Sequence, residues 1–372
     1  MTTAVRIIYE RYIGTDQKKL IGGIESYIDS LCRVCKSMGF KPYVYYYAEE
    51  SLVLEYNDYK TIGVKRAKTA HDLIKYIDLH DDPNYEDDIL IFATDFMIVK
   101  NNYKHTIAIQ HGVAWDITKH SDVGDIFNII QIVKGALRSI KKYFRFKKCN
   151  NIVCVDYNFV NWYRTQVLHV GMDITVIPNY TQIYDDLKKS TVNEDAISVV
   201  FARRFVQYRG TRLFADAICE VVKIHPDVRF VLAGEGPDEE WLHHKLDEYD
   251  NVSFTKFRSE ESIRFHTNFD IAVVPTEGSE GTSLSLLEAM SAGCAVIATN
   301  VGGITNIIIN RYNGLIIKPD VNALVNALLE LIENAEERKE LAQKGKETVR
   351  KAFSITRWEQ EWKSVLERIS CN

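Results

Sequence analysis

The sequence predicts an α/β protein made of two consecutive domains, each a parallel sheet wrapped by helices. Three observations carry this. Short apolar runs rich in Val, Ile, Tyr and Phe alternate with longer amphipathic stretches; the runs form two successive series; and a polar segment, 180–196, rich in Asp, Lys, Ser and Asn, separates them. Strands covered on both faces read as near-continuous apolar runs, and strands spaced by helical periods pair in parallel.

In chain order, the first series is Val5–Tyr9, Tyr43–Tyr47, Ile89–Phe92, Thr106–Ile109, Ile152–Val155 and Thr175–Ile177. The second is Val199–Ala202, Arg229–Ala233, Ser253–Thr255, Ile271–Pro275, Ala295–Thr299 and Leu315–Ile317, most of them followed by a polar or glycine turn and a helical period. Two such series mean two Rossmann-like domains, placed at 1–184 and 185–354. The remaining 355–372 form a helix whose Trp358 and Trp362 lie four residues apart on one face. That stripe needs an apolar surface, so the helix is expected to pack at the domain junction.

A length of 372 residues suits two domains, and 46% hydrophobic with 26% charged residues suits a filled core rather than disorder. A net charge of -5 gives no global attraction to nucleic acid. The 7 cysteines are odd in number and lie mostly in apolar or helical stretches, which fits a reducing compartment. Cys32 and Cys35 form a lone CxxC with no second pair to complete a zinc site, so both are expected to pack as small hydrophobes. The N-terminal MTTAVRIIYERY has no long apolar region, and no run of about 18 apolar residues occurs. The expectation is a cytoplasmic protein.

Open α/β sheets bind ligands beyond the carboxyl ends of their strands, so two facing domains would form a cleft with two equipped rims. The most informative stretch there is Pro275–Met290, PTEGSEGTSLSLLEAM, followed by SAGCAVIATNVGG. A strand ends, a glycine turn follows, and Thr282 or Ser283 can cap a helix starting near Leu284. The free N–H groups of Thr282, Ser283 and Leu284 and the helix dipole favour a phosphate. Glu280 precedes this helix and Glu288 lies within it. Two carboxylates flanking an anion site suit a ligand with hydroxyls at both ends and phosphates between, which is the layout of a sugar nucleotide.

Glu280 and Glu288 make an E-x7-E pattern, and EGTSLSLLEAMSAGCAVIATNVGG around it resembles the signature of the retaining glycosyltransferases of family 4, the glycosyl transferases group 1. The resemblance spreads over most of Val199–Pro319. It implies the GT-B fold of two facing Rossmann-like domains, an N-terminal one for the acceptor and a C-terminal one for the nucleotide sugar. Arg203–Gly210 (RRFVQYRG) resembles the family's G-R-L-x-x-x-K-G, with Arg204 at the arginine position and Arg209 at the lysine position; Arg203, Phe205 and Arg209 depart from its glycine, leucine and lysine. Gly234-Glu235-Gly236-Pro237 resembles the G-x-G-P turn near the nucleotide, and Gly22-Gly23 the N-terminal glycine pair near the donor phosphates. Ile177-Pro178-Asn179 matches the segment that closes the first domain, and Asn306 stands where many members carry glutamate.

The resemblance implies transfer of a hexose from a nucleoside diphosphate sugar, UDP- or GDP-linked, to a hydroxyl of a glycan or a polyprenyl diphosphate-linked saccharide, as in surface-polysaccharide synthesis. Arg204, Arg209 and the helix N-terminus would stabilise the departing diphosphate, Glu280 would hold the transferred sugar, Glu288 the ribose, and His111 would line the reaction centre. No metal and no cofactor are expected. The acidic clusters Asp81-Asp82, Glu86–Asp88 and Asp185-Asp186 read as solvated loops. Two rival readings are a sugar-nucleotide epimerase or hydrolase on the same fold, which turns over donor without an acceptor, and a binding module, which turns over nothing.

Phe127–Lys148 contains no acid, and its cations Lys134, Arg138, Lys141, Lys142, Arg145, Lys147 and Lys148 interleave with aromatic and branched apolar residues. Such a segment fits an anionic membrane surface, giving peripheral contact at the inner face of the cell membrane, a site for a lipid diphosphate, or a core-packed helix with a solvated basic face.

Overall fold

The structure is a computed structural model that describes residues 2–20, 22–112, 130, 133, 134, 137, 140, 141, 144–166, 173–184, 187, 196–278 and 280–371. The chain divides into two compact units, Met1–Ile177 with Trp358–Asn372, and Pro178–Arg357. The division falls at Ile177/Pro178, ahead of the expected 184/185, and the C-terminal residues return to the first unit.

The first unit holds an eight-stranded sheet, β1 (Ala4–Tyr9), β2 (Lys41–Ala48), β3 (Leu52–Tyr56), β4 (Tyr59–Lys65), β5 (Ile89–Phe92), β6 (His105–Gln110), β7 (Asn151–Cys154) and β8 (Asp173–Val176), in the order β3-β4-β2-β1-β5-β6-β7-β8. All neighbours pair in parallel except β3 and β4. That hairpin corrects the expectation of purely parallel pairing. Its two-residue turn, Asn57-Asp58, takes φ of 48° and 61°, the left-handed pair that matches strand twist in a hairpin. β3 alternates partly buried Leu52, Leu54 and Tyr56 with exposed Val53 and Glu55, as a half-covered edge strand does.

Helices α1 (Gly23–Ser37), α2 (Ala70–His80) and α3 (Tyr157–Gln166) pack on this unit. Thr69 caps α2 in a reciprocal box with Asp72. Cys32 and Cys35 sit fully buried on α1, and burial pushes the Cys35 thiol up to about 12, so both act as packing groups.

The second unit holds a six-stranded, wholly parallel sheet, β9 (Ser198–Ala202), β10 (Arg229–Ala233), β11 (Val252–Thr255), β12 (Ile271–Val274), β13 (Ala295–Thr299) and β14 (Leu315–Ile317), in the order β11-β10-β9-β12-β13-β14. Its helices are α4 (Thr211–Ile224), α5 (Glu239–Leu246), α6 (Ser262–His266), α7 (Leu284–Ala292), α8 (Val321–Glu333) and α9 (Ala335–Ala352). Period-two alternation divides β9 between two cores. Val199 and Phe201 join Phe214 of α4 and Leu328 of α8, while Val200 and Ala202 join Leu287 of α7 and Val349 of α9. Both faces of the sheet are therefore covered.

The last helix, α10 (Ile355–Ser370), begins in the second unit and ends in the first. Within the first unit Trp358 and Trp362 meet Tyr27 of α1 edge-on, with ring centroids 4.9 and 6.1 Å away. The Trp362 indole also donates to the Tyr27 hydroxyl at 2.9 Å. The tryptophan stripe thus finds its apolar surface on α1. Trp362→Ala should destabilise the first unit by about 3–5 kcal/mol, read as an earlier urea transition of its tryptophan fluorescence at Trp358.

Candidate active site

In the second sheet the strand order reverses between β9 and β12, and the carboxyl ends flanking such a reversal form a natural crevice for a ligand. The chain places charge there from both sides. Arg203 follows β9, and its guanidinium donates to the Thr276 hydroxyl at 2.5 Å and to Glu280 Oε2 at 2.5 Å. Arg209 donates to the same Oε2, which Thr276 also reaches at 3.1 Å. The Arg203 and Glu280 side chains are only 6% and 9% exposed, whereas Arg209 is 27% exposed. Burial raises the Glu280 pKa, but the two arginines outweigh it and hold the carboxyl below its ordinary value. Burial lowers the Arg203 pKa against the opposing pull of Glu280. For Arg209 burial is outweighed by Glu280 and by Tyr208, whose ring lies 5.2 Å from its guanidinium carbon. The cluster carries two cations and one anion, with Glu280 Oε2 as the shared pivot.

Two loops bring backbone close enough to build it. Gly302, at φ 53°, lies where a Cβ would meet the Glu280 carbonyl at 2.2 Å, and the Gly303 N–H donates to that carbonyl at 2.9 Å. A Cβ on Gly234, at φ 155°, would meet the Arg203 carbonyl at 2.1 Å, and Phe205 N–H donates to the Glu235 carbonyl at 2.9 Å. Gly234 and its neighbour Gly236 therefore let the β10 turn clamp the segment that bears Arg203. Lys256 reaches Glu235 of that turn at 3.0 Å.

α7 starts at Leu284, as the sequence predicts, but its N-cap residue Ser283 makes no side-chain cap. For Ser283 this corrects the capping expectation: its Oγ faces Ser285 Oγ at 3.3 Å, and the helix N-terminus, without a cap from that hydroxyl, suits an anion. Asn179 fixes the approach to this helix by donating to the Thr282 carbonyl at 2.8 Å. One turn on, the half-buried Glu288 accepts a 2.6 Å hydrogen bond from Ser262 of α6. Burial pushes its carboxyl up to about 7, against the lowering effect of Ser262.

The first unit carries its own candidates. Gly22 is the extended N-cap residue of α1 and Gly23 its first residue, with no side-chain cap and with Glu25 in the first turn. His111 follows β6, stands edge-on to Tyr27 with centroids 5.1 Å apart, and lies 2.9 Å through Nε2 from the Ala93 carbonyl. A carbonyl only accepts, so Nε2 carries the proton and Nδ1 is the acceptor. Burial pushes the His111 pKa down to about 4, which keeps the ring neutral at pH 7.

The structure thus brings Arg209, Glu280, Thr282, Ser283 and Leu284 to one strand-end region. Arg204 is exposed, and its neighbour Arg203 is the one turned into the cluster. Motif alignment alone missed Arg203, Thr276 and Ser262; the signal for Arg203 was the departure from glycine itself, a cation where the family has no side chain. Of the basic segment, Arg138 and Lys142 lie outside the described residues, while Lys134, Lys141 and Lys148 are exposed and Arg145 is half-buried.

Residues 183–348 match the family described as glycosyl transferases group 1. An uncharacterized glycosyltransferase of Methanocaldococcus jannaschii is 30% identical over 251 residues, 64% of this chain and 66% of that protein. The chain spans 60 to 66% of the length of such curated relatives. Sucrose-phosphate synthase from Thermosynechococcus elongatus superimposes with a TM-score of 0.75 over 98% of both chains at 16% identity. HepE of Anabaena, solved with UDP-glucose, superimposes with a TM-score of 0.71 over 98% of this chain and 99% of its own at 14% identity. The fold is that of the GT-B glycosyltransferases, and through residues 183–348, nearly the whole of its second unit, the chain belongs to the glycosyl transferases group 1.

Proposed function

We propose that the chain is a retaining glycosyltransferase that moves a hexose from a UDP- or GDP-linked donor to a hydroxyl of a glycan or lipid-linked saccharide. The observation that carries this reading is the cluster of Arg203, Arg209 and Glu280 at the strand-order reversal, close in sequence to an uncapped helix N-terminus. That HepE of Anabaena holds UDP-glucose supports a nucleotide-sugar donor.

Each group has a task in this reading. Arg209, the more exposed of the two inward arginines, and the α7 N–H groups take up charge as the sugar–phosphate bond breaks and the diphosphate departs. Arg203 is tied to Thr276 and Glu280 and holds the carboxylate in place. Glu280 Oε2 is taken by three donors, so Oε1 is the oxygen left to accept from a hydroxyl of the sugar. The ribose hydroxyls donate to Glu288, and the neutral His111 offers Nδ1 as an acceptor. The departing phosphate oxygen takes the proton of the attacking hydroxyl on the same face, which retains the anomeric configuration. With positive charge supplied by arginine and helix dipole, the scheme needs no divalent cation.

Calorimetric titration with UDP, GDP, ADP and CMP tests the donor site. One nucleotide should bind with a micromolar Kd, unchanged by EDTA, and Arg209→Ala or Glu288→Ala should weaken it at least about tenfold, or about 1.4 kcal/mol. If none of the four binds, the donor assignment fails. Once an acceptor is found, the same variants should lose about 100-fold or more in kcat/KM, and NMR of the product should show the donor's anomeric configuration.

The Glu288 carboxyl predicts a pH dependence. Ribose hydroxyls donate to its ionised form, so binding lowers its pKa from about 7 and releases a proton. Affinity should therefore rise with pH and level off above 7, falling by up to about tenfold per unit below it. Glu288→Gln should flatten this profile, and calorimetry in buffers of different ionisation enthalpy reads the released proton directly.

A further inference from the structure

The described positions at 130, 133, 134, 137, 140, 141 and 144–146 are helical. Phe146 fixes this segment to the first unit, fully buried against Phe159 of α3 with ring centroids 4.7 Å apart. The side facing away is not polar. Ile130, Val133, Leu137, Ile140 and Phe144 are between 44% and 60% exposed, and they recur at steps of three, four, three and four. At about 3.6 residues per turn the five share an arc of about 80°, and Lys134, Lys141 and Arg145 continue it on one flank over about another 60°. Phe96, 53% exposed beyond β5, adjoins the same flank: the Arg145 guanidinium lies 6.0 Å from its ring. The Lys147 ammonium lies 5.8 Å from the ring of Phe144.

A helix on a protein surface ordinarily turns polar residues to water, and a continuous exposed apolar stripe marks a face that something covers. Charge decides what. The stretch 127–148 has seven cations and no carboxylate. A second copy of the stripe would set like charges against each other with no anion to pair them. An anionic bilayer answers both halves, with apolar side chains entering at the acyl boundary and long basic ones reaching the headgroups. We propose that this face docks in the plane of an anionic lipid bilayer, with Leu137, Ile140 and Phe144 inserting and Lys134, Lys141, Arg145, Lys147 and Lys148 contacting headgroups. Among the described residues no helix is long and apolar enough to cross a membrane. The proposal does not rest on the transfer reaction.

Flotation of the full chain with phosphatidylcholine vesicles, alone or mixed with phosphatidylglycerol, tests it. The protein should float with the mixed vesicles only, and less as salt rises. Leu137→Asp with Ile140→Asp, and separately Lys141→Glu with Lys148→Glu, should each reduce flotation at least about tenfold. The second pair changes exposed lysines alone, so it remains informative should the first fail to fold, and circular dichroism checks both. Absence of flotation with mixed vesicles, or equal flotation of the Lys141→Glu/Lys148→Glu variant, overturns the proposal. So does light scattering that finds a dimer which Leu137→Asp dissociates.

Discussion

A single carboxylate oxygen organises the strand ends where the second unit's sheet reverses its order. Glu280 Oε2 receives Arg203, Arg209 and Thr276, so three segments that leave three different points of the chain are fixed by one atom. Desolvation cancels much of the Coulomb attraction in a buried ion pair, so such a cluster is weak as a source of stability. Its contribution is geometric. Two guanidiniums that repel each other in the open are held side by side with their forks oriented, and the backbone contacts of Gly234 and Gly302 are what let their loops approach closely enough. The apolar layers on either face of the sheet carry the stability and leave the strand ends for chemistry.

The same physical force leads to opposite outcomes at two glutamates eight residues apart. Burial pushes Glu288 toward its neutral form, because only the Ser262 hydroxyl opposes it, whereas Glu280 stays ionised because two arginines overcome a similar penalty. His111 follows the first pattern with the sign reversed, since burial disfavours its charged form and leaves a neutral ring. One carboxyl is held below its ordinary pKa and positioned, another is raised to about 7, and one imidazole is kept an acceptor.

Much of this was legible in the residues, and what was not has definite causes. The apolar runs located β1, β2 and β5–β14; the trace is plainest where a strand is buried along its whole length, as in β5, β6, β9, β12 and β13. The β3–β4 hairpin escaped that reading because β3, an edge strand half in water, alternates rather than runs, and β4, though mostly buried, is broken by Lys60, Thr61 and Gly63, although Asn57-Asp58 between them was a turn signal. The start of α7 was readable from EGTSLSLLEAM, but its cap was not, since whether Ser283 turns to a backbone N–H or to Ser285 depends on rotamers. The motif pointed at Arg204 while the fold turns Arg203 inward: beyond a strand end, a one-residue difference in facing is set by loop packing that a linear pattern does not encode. Ser262 reaches Glu288 only through tertiary folding of α6 against α7.

The return of α10 to the first unit bears on how the molecule is made. Tyr27 is translated well before the rings that cover it, Trp358 and Trp362, the latter 335 residues later. The second unit is continuous in sequence and can close while synthesis proceeds. The first must wait through that entire interval with part of its apolar surface uncovered. The unit translated first is thus the last to be finished, and a ribosome that stops short of residue 358 releases a chain whose leading half lacks its seal.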